Sequence, residues 1–352
     1  MKKRFPALTL LCLALCLRLS AEGGPSSPAG LPPAPPARGV ALVITGAAAR
    51  IPQEAALLEA LDERGLLKDL SFISGDSSGA LNAVAVNAIV SGRMTWARYR
   101  QILEGLHNSD VFVQSGKRLP VDTSPLRAML KRVVEGEMGF RTMGDLPIPT
   151  SISITRLEDL GLEKTAYRMC SERINAESDP SLSIVDILMA STAIPVVFPA
   201  ARIAGVTTIK DIDYVDGGAG EDYVPYEAIL EFEAARNLAF EKVFIVSRKS
   251  NTVPEVSEEL RALGVNDRGL FDKLGISPER LASRLFLKYL AQLARQAPGL
   301  ADRTFVWRPD FQASFLLLDF NSLGAQYAAT QEWAQASAPV PLLQYLSEAR
   351  SP

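Results

Sequence analysis

The sequence predicts an α/β protein, a mostly parallel sheet covered by helices on both faces in three α/β/α layers. Three observations carry this expectation. Val40-Ala41-Leu42-Val43-Ile44-Thr45 is an unbroken apolar run, the pattern of a parallel strand buried on both faces. Ser71-Phe72-Ile73-Ser74 passes through a glycine-flanked turn into Gly79-Ala80-Leu81 and on to Val90, small and apolar enough for a buried helix. Strand and helix patterns then alternate along the rest of the chain, as in a sheet with helical crossovers.

The first strand covers 40–45 and feeds a helix at 53–64. A second strand at 70–74 feeds a helix at 78–91. Helical patterns follow near 95–106 and 124–135, then strands near 150–156 and 165–170 and a helix at 184–191. Strands at 207–215 and 242–247 flank a helix that starts near Tyr226. Thr304-Phe305-Val306-Trp307 reads as one more strand and 322–334 as one more helix, so the C-terminus is expected back in the same domain. Residues 251–300 stand apart as a helical insert or lid. Within them Ser277-Pro278 suits a helix start. Arg280, Arg284 and Lys288 recur at helical spacing beside Leu281, Leu285, Leu290 and Leu293. Such a helix either meets a membrane surface or packs on the core with a solvated basic edge. The second reading is favoured.

The N-terminus reads as an export signal over 1–21. Lys2, Lys3 and Arg4 precede an apolar stretch from Phe5 to Leu17, and Leu19-Ser20-Ala21 offers small residues for cleavage. A lipoprotein signal at Cys16 is the alternative, with bulky Leu15 against it. Residues 22–38 are a Pro-rich linker, and the domain spans 39–352. Export would leave Cys170 as the only cysteine and so no internal disulfide. The formal net charge of −3 shows no basic excess, which speaks against a nucleic-acid partner.

Gly75-Asp76-Ser77-Ser78-Gly79 matches G-x-S-x-G between a strand and a helix. That is the setting of a nucleophile elbow, in which a sharp turn exposes the serine hydroxyl above the sheet. An α/β-hydrolase triad needs an acid and then a histidine after the serine. The chain holds a single histidine, His107, and it precedes any plausible acidic triad member. His107 reads instead as a helix C-terminal residue without a catalytic role. The candidate base is Asp216, at the end of the alternating run Ile209–Val215 and before Gly217-Gly218. Gly46-Ala47-Ala48-Ala49-Arg50 follows the first strand, and small residues there leave backbone N–H groups free to face an anion.

These segments together resemble the patatin-like phospholipase family. The match rests on the loop at Gly46–Arg50, the elbow at Gly75–Gly79 and Asp216-Gly217-Gly218. The run Asp186–Pro199, Val224-Pro225 and Asp319-Phe320 are also similar to family segments. The resemblance implies a patatin-like fold and a Ser77–Asp216 dyad. It also implies an oxyanion hole from Gly46, Ala47 and Ala48, with Gly75, Gly79, Gly217 and Gly218 serving the two turns. Arg50 takes the family's basic position, to hold a phosphate or pin the loop. The implied activity is hydrolysis of phospholipid or lysophospholipid esters through an acyl-enzyme, with peripheral membrane contact and neither cofactor nor metal. The family loop has three glycines where this chain has Gly46, Ala47 and Ala48. Alanine pays a penalty at positive φ, so a catalytically weak relative that binds lipid or a partner is the alternative.

Overall fold

The computed structural model describes residues 38–113, 119–159, 167–205, 212–249, 278–313 and 315–349. The proposed signal at 1–21, nearly all of the linker and the 251–277 part of the insert lie outside them. Among the described residues eight strands form one sheet: β1 (Val40–Ile44), β2 (Leu70–Asp76), β3 (Thr150–Asp159), β4 (Tyr167–Asn175), β5 (Asp213–Asp216), β6 (Lys242–Val246), β7 (Thr304–Trp307) and β8 (Val340–Pro341). Their order is β4-β3-β2-β1-β6-β7-β8, with β5 on β3. The central pairs are parallel, while β4, β5 and β8 are antiparallel to their neighbours.

The apolar run of β1 divides by residue parity, since successive side chains of a strand point to opposite faces. Leu42 and Ile44 pack with Leu57, Leu61, Ala83 and Val86, from α1 (Ile51–Glu63) and α2 (Ser78–Val90). Ala41 and Val43 pack with Ile229, Phe286 and Leu290, from α7 (Glu227–Arg236) and α8 (Pro278–Gln296). The sheet therefore lies between two helical layers, as the sequence implied. A third cluster stacks α3 (Trp96–Glu104), α5 (Ser124–Leu130), α6 (Ile184–Ser191) and α9 (Leu323–Gln335) on α1 and α2.

Several boundaries shift. The helix expected over 124–135 is α-helical only to Leu130 and continues as a π-helix over Lys131–Glu137. The strand expected over 207–215 is seen as Asp213–Asp216, with 206–211 outside the described residues. In the expected 277–296 helix, Phe286, Leu290 and Leu293 are buried and Arg284 and Lys288 exposed. This is the packed helix with a solvated basic edge. The side chains of Arg280 and Leu281 lie outside the described residues. His107 departs from its expected place: it precedes the short helix α4 (Asn108–Val111) and its N–H donates to Asp110 Oδ2 at 2.9 Å. It is exposed and does not line the cleft described below.

Candidate active site

The site forms where two strands meet end to end along β3. Parallel β2 runs beside β3 until Asp76 stands opposite Ser153. Antiparallel β5 then takes the same edge of β3, ending with Asp216 opposite Ile154. Ser77 follows β2 directly, so register alone carries it to Asp216.

Ser77 sits at φ 53°, ψ −125°, a left-handed conformation that costs a non-glycine residue free energy. Close approach fixes the flanking glycines. A Cβ on Gly75 would lie 2.7 Å from the Gly79 carbonyl oxygen, and one on Gly79 2.3 Å from that of Ile44. The turn is held from outside the motif. Ser77 N–H donates to Ser191 Oγ at 2.9 Å, and Ser191 Oγ–H donates to the Ser153 carbonyl at 2.8 Å. Ser191 ends α6, within the segment whose family likeness the sequence showed, but its task there is visible only in space.

Asp216 accepts from Gly218 N–H at 3.0 Å and lines the same cleft as Ser77. Burial pushes its carboxyl up to about 6, and the nearby Ser77 hydroxyl and Gly218 N–H act against that rise. Gly217 is required by close packing, because a Cβ there would lie 2.4 Å from Asp76 Oδ1 and 2.6 Å from the Ser153 carbonyl oxygen.

The loop after β1 differs from the expected three-residue hole. Ala47 N–H is taken by Ser78 Oγ at 2.7 Å, because Ser78 opens α2 right beside the loop. Ala48 adopts φ 47°, so alanine here accepts the left-handed penalty and the loop keeps its course. Among the described residues Ala48 N–H has no acceptor. Gly46 supplies clearance: a Cβ there would lie 3.0 Å from Ser77 Cβ. Arg50 is fully buried, its Nε donating to the Phe315 carbonyl at 3.1 Å and Nη1 to that of Lys249 at 3.4 Å. It pins the loop and is not presented to a phosphate.

Ser77, Asp216, Gly46, Ala47, Ala48 and Gly218 line one cleft of ≈ 260 Å³, together with Tyr223, Ile194, Pro195 and Arg248. A second, apolar recess shares Ser77 and Ala48 and continues past Leu81, Leu126, Phe198 and Phe320. Tyr223 stacks on Tyr289 of α8 with ring centroids 6.3 Å apart, so α8 braces one wall. Sequence reasoning missed Asp76, a cleft residue inside the elbow motif itself. A carboxylate between an apolar strand and a buried helix was the available signal. It also missed Asp222, buried and bonded to Arg173 at 2.6 Å, which nothing local in the sequence announces. Among the described residues no acidic, histidine or cysteine group is arranged to hold a metal.

The patatin-like phospholipase family profile matches residues 42–230, more than half of the chain. No curated protein matches. Among solved structures the chain is similar to VipD from Legionella pneumophila, with 13% identity and a TM-score of 0.36 over 86% of this chain and 67% of that one. It is similar to ExoU of Pseudomonas aeruginosa, solved with SpcU, with 17% identity and a TM-score of 0.32 over 76% and 60%. For human GIVD cytosolic phospholipase A2, solved with methyl γ-linolenyl fluorophosphonate, the values are 13%, 0.39, 89% and 59%. The chain thus spans about two thirds or less of the length of these three. The family profile itself runs from β1 past β5 and takes in both strand ends that form the cleft: the chain belongs to the patatin-like phospholipase family.

Proposed function

We propose that the protein is a serine acyl hydrolase that cleaves lipid esters, phospholipid or lysophospholipid, through an acyl-enzyme. The observation that carries this reading is one cleft that holds both the buried Asp216 carboxyl and a serine at a strained elbow. Asp216 takes the Ser77 proton as Ser77 Oγ attacks the ester carbonyl. The donors for the developing oxyanion are Ala48 N–H and the first N–H of α2, at Ser78, which have no acceptor among the described residues. A donor so placed is typically worth about 3 kcal/mol of barrier. Arg248 in the cleft wall suits an anionic head group.

Peripheral contact with a lipid surface belongs to the same reading. Val196 follows the cleft residues Ile194 and Pro195, is 70% exposed and sits at φ 72°. For a β-branched side chain that is costly in both solvation and backbone. Export, read from residues 1–21, places the enzyme outside the cytoplasm. N-terminal sequencing from the native host should find a start near Glu22 or a lipidated Cys16.

Labelling with a serine-reactive fluorophosphonate tests the hydrolase reading. Wild type should label at Ser77 and Ser77→Ala should not. Ser77→Ala and Asp216→Asn should each lower turnover of a lysophospholipid, diacyl phospholipid or p-nitrophenyl ester by at least about 10³ with folding intact. An unlabelled, inactive but well-folded wild type would instead favour a lipid-binding relative.

A further inference from the structure

The proposed hydrolysis gives Asp76 no task, yet Asp76 lines the cleft and is 1% exposed. Its carboxyl is wedged between the loop after β1 and the turn after β5. A Cβ on Gly46 would lie 3.1 Å from Asp76 Oδ2, and a Cβ on Gly218 2.8 Å from the same atom. The Gly218 N–H donates to Asp216 Oδ1 at 3.0 Å. Asp76 Oδ1 is buried without a hydrogen-bond partner. It abuts Gly217 at the place where the Ser153 carbonyl oxygen also closes in, 2.4 Å and 2.6 Å from a Cβ built there. A buried carboxyl oxygen that no donor reaches is where a carboxylic acid can carry its proton.

The surroundings agree. Asp216 on β5, Asp222 after it and Glu54 on α1 all act on Asp76 with the same sign. Arg173 on β4 is bonded to Asp222, and Arg248 after β6 acts on Glu54. Burial first, and then the charges of Asp216 and Asp222, hold the Asp76 carboxyl well above the usual carboxylate range. Two carboxyls in one buried cleft do not both ionise readily.

We propose that Asp76 is a positioning residue of the Ser77–Asp216 pair: it stays a neutral carboxylic acid through turnover, so that the one negative charge rests on Asp216. This rests on the serine hydrolase reading above. As the Ser77 O–H bond breaks, its proton passes to Asp216. The Oγ–carbon bond forms and the carbonyl electron pair moves onto oxygen. Asp216 is then neutral, Asp76 is still neutral, and the charge lies on the oxyanion beside Ala48. When the ester C–O bond breaks, the leaving oxygen takes the proton from Asp216. An ionised Asp76, set against Gly46 on the oxyanion loop, would oppose that movement of charge.

The test measures kcat/KM against pH on a soluble p-nitrophenyl ester, with infrared spectroscopy of the same full-length protein. Wild type should lose rate on the alkaline side as Asp76 ionises. Asp76→Asn, permanently neutral, should keep at least about a tenth of the peak rate and lose that alkaline fall. The spectrum at about pH 7 should show a protonated carboxylic C=O band that Asp76→Asn removes and Glu54→Gln does not. Should Asp76→Asn not fold, Asp76→Ser takes its place in both measurements, and the band is titrated in wild type with Glu54→Gln as the background. An alkaline fall that survives in the neutral variant, or no Asp76 acid band, overturns the proposal. A band without any hydrolysis by wild type supports the proton on Asp76 and overturns the hydrolase reading, which separates the two failures.

Discussion

Asp76 and Asp216 end different strands against consecutive residues of β3, Ser153 and Ile154. The two carboxylates come from positions far apart in the chain and meet because β5 begins its pairing where β2 leaves off. The Gly218 N–H donates to Asp216 Oδ1 at 3.0 Å, while Asp76 Oδ1 is buried without a hydrogen-bond partner. The site is therefore built around a deficit of donors, and its protonation state is set by burial. Four outcomes follow from this arrangement and from the packing around it.

The acid limb of activity should lie near pH 6. Asp216 works as a base only when ionised, and burial pushes its carboxyl up to about 6. Below that value kcat/KM on a soluble ester should fall about tenfold per pH unit. The limb belongs to the coupled acid pair, so Asp76 variants are the proper comparison. A limb near the ordinary aspartate value of 3.8 would mean that Asp216 is solvated in solution.

Stability should respond to pH with the opposite sign from a salt-bridged carboxylate. Asp216 is raised in the native state, so folding favours its protonated form. That contribution is fully present below about pH 4 and is lost as pH rises through about 6. Asp216→Asn removes the buried ionisation. Relative to wild type it should gain stability between about pH 4 and 7, by on the order of 3 kcal/mol. Chemical denaturation at the two ends of this window reads the difference, and a gap that shrinks with rising pH would contradict it.

The two alanines of the loop should respond differently to glycine. Ala47 has φ −135°, so Ala47→Gly only loosens the unfolded chain and should cost about 0.5–1 kcal/mol. Ala48 has φ 47°, where relief of about 1 kcal/mol offsets that cost. Ala48→Gly should leave stability within about 0.5 kcal/mol of wild type and leave turnover unchanged or raised. A large loss of turnover in Ala48→Gly would show that the loop needs the Ala48 methyl group.

Helix α8 and the Val196 turn should separate core support from lipid contact. Leu290 is fully buried, so Leu290→Ala should destabilise the domain by about 2–5 kcal/mol. Arg284→Gln with Lys288→Gln should change stability by less than about 0.5 kcal/mol and leave the ratio of vesicle to soluble-ester activity as it was. Val196→Asp should lower that ratio severalfold while sparing the soluble ester. If the Gln pair lowers the ratio and Val196→Asp does not, the lipid-facing surface is the basic edge of α8.

The sequence by itself determined the α/β class, most strand and helix positions, and the serine and aspartate of the candidate pair. It did so because these are local facts. A buried parallel strand must be apolar on both faces, and a strand–turn–helix elbow must carry glycines where backbones touch. The tertiary structure alone decided what each residue does once neighbours arrive. Ala47 lost its free N–H to Ser78, Arg50 turned inward to the Phe315 carbonyl, and Ser191 came to hold the elbow. Asp76 passed in the sequence for an ordinary member of G-x-S-x-G. Its burial beside Asp216 depends on β5 pairing antiparallel to β3 in line with β2, and such register is fixed by contacts between distant segments.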